Sequence, residues 1–338
     1  MTRISVIVPT YNRLDRLKRV LNAFEKQTVS LTDFEVVVVS DGSSDGTDDY
    51  LRSLQTSLTL TAVFQSNQGV AVARNHGLER AQGPLVLFVD DDVVPTPRLI
   101  EEHLRYHNTR GAEQDIVVMG PMMTPSPKEF NMRSWVQWEQ AMLMKQYDDM
   151  IAGRWEPTAR QFYTGNTSLL RHHVVEAGGF DPNFRRAEDV ELAYRLADRG
   201  LRFLFNPDAV GYHYAERSFR SWIAIPYAYG RNDVIFTRDK GQNWLLPTIF
   251  YEFHGRHPLI RFMTKICLDH KRLGSAAILG FKQAALMGER IGIGQVPRMA
   301  YSAIFNLRHY QGISDELGGR QLFFDQVAQA TEYVGPPE

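Results

Sequence analysis

Four short apolar runs, residues 4–8, 34–40, 60–65 and 85–89, alternate with helix-period stretches in the first third of the chain. A run rich in Val, Ile and Leu with no polar alternation is buried on both faces, so the strands it predicts need helices packed on either side. This pattern predicts an α/β fold with a mostly parallel, Rossmann-like sheet. Between the first two runs, Leu14, Leu17, Val20, Leu21 and Phe24 recur at three- and four-residue steps and give one apolar helix face. Ligands of such sheets gather beyond the carboxyl ends of the strands. All four runs end in residues suited to that place: Pro9-Thr10-Tyr11-Asn12, Asp41-Gly42-Ser43-Ser44-Asp45, Asn67-Gln68-Gly69 and Asp90-Asp91-Asp92.

Further along, strands are predicted over residues 115–119, 163–170, 202–205 and 210–213. Helices are predicted from Thr96-Pro97, over 130–147, and over 188–199 with a stop at Gly200. From Ser218 the pattern is helical, up to a polar end at Gly335-Pro336-Pro337. Lys and Arg total 38 against 39 Asp and Glu, so no global field draws this chain of 338 residues to nucleic acid. Cys267 is the single cysteine, which excludes an internal disulfide framework and a cysteine zinc site. Its neighbours Ile266 and Leu268 predict a buried thiol. The opening residues lack a signal-peptide core, and no run reaches the roughly 18–20 apolar residues of a spanning helix. The expected location is therefore cytoplasmic.

Three successive aspartates after an apolar strand repel one another unless a cation or solvent relieves them. A divalent ion, Mg²⁺ or Mn²⁺, is the economical partner for such oxygen ligands. Neither G-x-G-x-x-G nor a P-loop occurs, which argues against a dehydrogenase or an NTPase. Asn67, Gly69, Arg74, Asn75 and Gly77 instead form a turn into a helix, where Arg74 could meet a phosphate or a surface carboxylate.

Taken together, these four motifs resemble glycosyltransferase family 2, whose fold is termed GT-A. The likeness runs through Val6-Ile7-Val8-Pro9-Thr10-Tyr11-Asn12, Val39-Ser40-Asp41-Gly42-Ser43-Ser44-Asp45, Asn67-Gln68-Gly69 with Ala73-Arg74-Asn75-His76-Gly77, and Phe88-Val89-Asp90-Asp91-Asp92. It continues more weakly through Gly165-Asn166, Gly179-Phe180-Asp181, Glu188-Asp189 and His213.

The resemblance implies an inverting enzyme that moves a sugar from a nucleotide diphosphate donor, a UDP-sugar by preference, to an acceptor hydroxyl. Pro9, Thr10, Tyr11, Asn12, Asp41, Asn67, Gly69, Arg74, Asp90 and Asp91 would then line the donor site. Asp92, Asp90 and His213 would hold Mg²⁺ or Mn²⁺, and Asp189, with Glu188 as substitute, would be the base. Many members carry two aspartates before the Gly-Ser where this chain has Ser40-Asp41, which loosens the choice of uridine as the donor nucleoside.

The expected division is a catalytic domain over 1–217, with a nucleotide-sugar-binding half (1–95) and an acceptor-side half (96–217), followed by a helical region over 218–338. The acceptor class is a carbohydrate or a lipid-linked glycan. Rival readings are a non-catalytic nucleotide-sugar-binding protein and a sugar-1-phosphate nucleotidyltransferase. In the helical region Arg261, Lys265, Lys271, Arg272, Lys282 and Arg290 interleave with Leu259, Ile260, Phe262, Met263, Ile266, Ile278, Leu279 and Phe281. That mixture suits a peripheral contact with an anionic membrane, a cover for the catalytic domain, or a homo-oligomer contact.

Overall fold

The computed structural model describes residues 2–109 and 115–335; beyond Gly335, the polar end expected at Pro336-Pro337 lies outside the described residues. Its main sheet has seven strands: β1 (Ile4–Thr10), β2 (Phe34–Asp41), β3 (Leu60–Gln65), β4 (Leu85–Val89), β6 (Ile116–Met119), β8 (Asn166–Leu170) and β9 (Arg202–Phe205). A second, three-stranded sheet holds β5 (Val93–Pro95), β7 (Met122–Met123) and β10 (Gly211–His213). In the main sheet the order is β3-β2-β1-β4-β8-β6-β9. All its pairings are parallel except those of β8, which runs antiparallel to both β4 and β6.

The periodicity before Phe24 forms α1 (Leu14–Phe24), which buries Leu17, Val20, Leu21 and Phe24 against β1 and β2 residues such as Ile4, Val6 and Val36. Each such side chain contributes roughly 1.5–3 kcal/mol on burial. Next come α2 (Thr47–Ser53) and α3 (Val70–Arg80). Gly77 lets α3 lie against β1, because a Cβ there would overlap the Ile7 side chain. Residue Thr10 of β1 pairs with Ser40 of β2, so the two strands finish side by side and deliver their polar ends to one edge.

Helix α4 is Leu99–Thr109, and it starts later than Thr96-Pro97 suggested. The Thr96 hydroxyl does not cap it; it donates to the Val210 carbonyl at 2.8 Å and ties the β5 end to the β10 approach. His103 and His107 on α4 face inward, although two histidines at helical spacing more often sit on a surface. Ser168 Oγ lies 2.7 Å from His103 Nδ1 and 2.9 Å from His107 Nε2, and His103 Nε2 lies 2.9 Å from Asn166 Oδ1. Burial holds both imidazoles neutral, down to a pKa of about 4.

Helix α5 (Ser134–Ile151) begins four residues after the expected start, following the turn in which Ser126 O accepts from Glu129 and Phe130. The strand expected from residue 163 begins at Asn166, because Tyr163 O is taken by Asn166 N and Thr167 Oγ1. The remaining helices of this part are α6 (Arg171–Glu176) and α7 (Glu188–Asp198), the latter ending before Gly200 in the left-handed region.

The chain divides into two compact units. One runs to Met132 and resumes over Gln140–Ala215, and the other takes Arg133–Glu139 and everything from Glu216. The second unit contains α8 (Phe219–Asp239), α9 (Leu245–His254), α10 (Pro258–Cys267), α11 (Lys271–Arg290), α12 (Gln295–Leu317) and α13 (Arg320–Gln329). Ser218 caps α8 by accepting from Ser221 N at 3.1 Å. The core of this unit holds Trp222, Tyr301, Ile304, Leu307 and the buried thiol of Cys267, with Trp138 packed against it. Gly230 of α8 and Gly312 of α12 allow backbone to meet backbone. A Cβ on Gly230 would overlap the His309 carbonyl, and one on Gly312 the Tyr227 carbonyl. Among the described residues no helix is long and apolar enough to cross a membrane.

Candidate active site

The polar strand ends meet at one edge of the main sheet. Asp41, buried, accepts at Oδ1 from Gln65 Nε2 and Gln68 N, each 2.7 Å, and at Oδ2 from Gly69 N at 2.9 Å. Asn67 donates to the Asp41 carbonyl at 3.0 Å. Asp41, Asn67 and Gly69 therefore first of all hold one another, and this turn feeds α3. Gly42 is required here: its φ is +75°, and an added Cβ would stand 2.7 Å from Asn67 N.

Asn12 is spent likewise on loop structure. Its backbone N–H donates to Ser43 Oγ at 3.0 Å, and its side-chain oxygen accepts from Ser44 N at 2.7 Å. Pro9 is buried in β1, whereas Tyr11 is 48% exposed and presents its ring at the edge.

The three aspartates after β4 have separate partners. Asp91 is buried, accepting from Thr10 Oγ1 at 2.8 Å and from Arg13 at 2.7 Å. Asp92 receives Arg13 at 3.2 Å and Arg16 at 3.4 Å on one oxygen, and its other oxygen lies 3.5 Å from His213 Nε2. Pairing of β10 with β5 explains that approach, since His213 stands opposite Val93, the residue after Asp92. Asp90 is bound by Arg74 at 2.9 Å.

Three arginines thus relieve the repulsion among the aspartates, and that repulsion by itself no longer requires a metal. Burial works against the charge on Arg13, but Asp91 and Asp92 more than offset it and raise its pKa. Burial, opposed by Arg13 and reinforced by Asp92, pushes Asp91 up to about 6. Among the described residues no three His, Cys, Asp or Glu side chains cluster as a ready metal cage.

Of the two partners open to Arg74, a phosphate or a surface carboxylate, the structure gives it carboxylates, but not at the surface: it is buried, and its two amino groups go to Asp90 and, at 2.6 Å, to Glu188 Oε1. It joins the end of β4 to the start of α7. Glu188, engaged by Arg74, is less available as a base than Asp189, which accepts from the adjacent Val190 N–H at 2.9 Å. Burial, reinforced by Glu188 and opposed by Arg74, pushes Asp189 up to about 7.

The approach to α7 is braced. Asn75 exchanges two 2.8 Å bonds with Phe180, and Arg195, paired with Glu191, donates to Gly179 O at 2.7 Å. Ala187, just before Glu188, has φ +59°, a conformation that costs a side-chain-bearing residue roughly 1–2 kcal/mol.

Sequence reasoning missed Arg13, Arg16 and Gln140. For the arginines a signal was present: two cations open α1, where the helix dipole disfavours positive charge, so an anion had to face them. Gln140, whose Nε2 is 3.2 Å from His213 Nδ1, sits inside an aromatic helix with no motif around it.

The Glycosyl transferase family 2 model matches residues 5–179, a span that contains all four strand-end motifs. The chain belongs to glycosyltransferase family 2. As a family 2 glycosyltransferase it is 34% identical over 231 residues to validoxylamine A glucosyltransferase of Streptomyces hygroscopicus subsp. jinggangensis, a match covering 62% of this chain and 54% of that protein. It spans about half the length of the curated relatives of this kind that it matches.

Solved structures with the same GT-A arrangement include TarS 1–349 of S. aureus in complex with UDP-GlcNAc, at a TM-score of 0.57 and 18% identity, covering 92% of this chain and 90% of that one. A second is the mannosyltransferase PcManGT of Pyrobaculum calidifontis in complex with GDP-Man and Mn²⁺, at 0.54 and 20%, covering 91% and 86%.

Proposed function

We propose that this glycosyltransferase takes a sugar from a nucleoside diphosphate donor, preferentially a UDP-sugar, and passes it with inversion to a hydroxyl of a carbohydrate or lipid-linked glycan. The observation that carries the reading is Asp189: a carboxylate with a pKa of about 7 at the start of α7, linked through Glu188 and Arg74 to Asp90 at the strand edge. A base poised near neutrality is suited to take a hydroxyl proton. As the acceptor oxygen bonds to the anomeric carbon, Asp189 takes its proton. The bond from that carbon to the donor phosphate breaks, and the nucleoside diphosphate leaves with the electron pair.

The other residues orient the donor. Tyr11 offers an exposed ring to the nucleobase, and the Asp41–Gly69 turn stands at the end of the neighbouring strand β2. Asp90, with a side chain 36% exposed, faces the sugar diphosphate, while Arg13 and Arg16 bring positive charge to the same edge.

The donor set also fits a divalent ion. Asp92 Oδ1 and His213 Nε2 lie 3.5 Å apart, and Gln140 Oε1 is buried without a partner. A half-turn of that amide sets Oε1 against Nδ1–H of His213 and leaves the Nε2 lone pair facing Asp92. Asp92 and His213 would then hold Mn²⁺ or Mg²⁺ together with donor phosphates, while Asp90 stays with Arg74. When bound, such an ion neutralises charge on the departing diphosphate.

Incubation with a panel of UDP- and GDP-sugars, Mn²⁺ and glycan acceptors, with NMR of the anomeric proton in the product, tests the reading. Nucleoside diphosphate release and an inverted product are expected. A bound donor that is never turned over would favour the non-catalytic alternative.

A further inference from the structure

Between residues 257 and 300 the chain carries seven Lys or Arg and two acids, against a net charge of -1 for the whole. Both acids are occupied locally: Asp269 accepts from Arg320 N, and Glu289 accepts from Ser134 and Tyr301. Arg261, Lys265, Lys271, Arg272, Arg290 and Arg298, by contrast, pair with no carboxylate among the described residues. Lys282 is the exception in this stretch, lying 4.4 Å over the Phe219 ring.

Large apolar side chains stand exposed among these cations. Phe262 (60%) and Ile266 project from α10, and Leu273 and Leu279 from α11. The end of α11 adds Met287 (67%), the link to α12 adds Ile291 (64%) and Ile293, and the start of α12 adds Met299. On α11 the exposed residues Arg272, Leu273, Ala276, Leu279, Met287 and Arg290 share one helical face that has no acid. A groove of about 430 Å³ continues this surface, with Phe262, Ile266 and Leu273 beside Lys265, His270 and Arg320. Of the apolar residues that the sequence pattern pointed to, Ile278 turns inward and packs in the core around Trp222.

We propose that α10, the outward face of α11, the link that follows it and the first turn of α12 form a docking surface for an anionic lipid bilayer, lying in its interface. Contiguous exposed apolar surface marks an interaction site, and unpaired cations around it select a negatively charged partner. A second copy of the chain would set this cationic face against itself. Nucleic acid would answer the charge but leave the apolar residues in water. An anionic leaflet answers both, and since no helix among the described residues spans a bilayer, the contact is peripheral. The inference does not rest on the transfer reaction.

The test is co-sedimentation of the full chain with vesicles of phosphatidylcholine alone or mixed with phosphatidylglycerol, at low and high salt. Binding only to the mixed vesicles, weakened by salt, is expected. Two independent variants, Met287→Asp with Ile291→Asp and Arg272→Glu with Arg290→Glu, should each lower partitioning about 10-fold or more, with circular dichroism checking the fold. Absence of the wild-type chain from the mixed-vesicle pellet at low salt overturns the proposal, as does binding by both variants equal to wild type. So does a dimer in sedimentation velocity that the same substitutions dissolve, because the face would then be covered by a second copy.

Discussion

On the proposed mechanism, Asp189 is the base at the start of α7 and Arg74 sets its surroundings. Asp189→Asn keeps the shape and removes the base, so turnover should fall by about 10²- to 10⁴-fold while donor affinity and melting temperature stay near wild type. In the wild-type chain the proposed mechanism, in which ionised Asp189 takes the proton, has kcat/KM rise with pH and level off above an apparent pKa near 7. Arg74 lowers that pKa, so Arg74→Met should move the profile to higher pH. It also strands Glu188 without its cation, and breaking a buried pair from one side costs on the order of 3–5 kcal/mol, readable in urea unfolding. Asp92→Asn should weaken Mn²⁺ binding in the presence of UDP, measured by electron paramagnetic resonance of free Mn²⁺, without affecting the Arg74 bonds. Candidate positions were legible at this scale because the motif residues stand at strand ends. Their partners were not, since Arg13 reaches Asp91 and Arg74 reaches Glu188 across long sequence separations that only the folded sheet closes.

Among the elements, β3, β4 and β9 match the expected bounds residue for residue, whereas the fully buried β1 and β2 run on past the expected ends to Thr10 and Asp41. Boundaries drifted where a side chain or a turn claimed a backbone group, as Thr96 does before α4 and Tyr163 before β8. Strands β5 and β7 went unforeseen, because two or three residues carry no period and exist only through pairing with β10. The α8–α12 contact is invisible to helix propensity in the same way. Alanine favours a helix over glycine by roughly 1 kcal/mol, yet Gly230→Ala or Gly312→Ala should destabilise the protein, because each new methyl meets a carbonyl of the facing helix. Overpacking of this kind costs about 1–3 kcal/mol or more. A melting temperature raised by either substitution would show that the two helices can part at no cost.

For the molecule as a whole, stability at mildly acidic pH reflects opposed groups. His103 and His107 have folded pKa values of about 4, below the 6.5 of free histidine, so their contribution is full above 6.5 and declines as pH falls toward 4. Asp91 and Asp189, raised to about 6 and 7, act in the other sense, and their contribution is lost as pH rises through those values. The histidine part is isolated by comparing wild type with His103→Gln. Between pH 6.5 and 4 the variant should lose less stability, by on the order of 3 kcal/mol, in denaturant titrations across that window. The reversed strand β8 has a different consequence, one that concerns the order in which the chain is made. Strand β4 pairs with β1 on one side and with β8 on the other, and β8 is synthesised some eighty residues later. Until Asn166–Leu170 emerges, Leu85–Val89 stands as an unpaired apolar edge, the kind that recruits foreign strands. Residues 1–95 are therefore not a folding unit by themselves: a fragment ending there should aggregate, and only a nascent chain long enough to contain β8 can close the sheet.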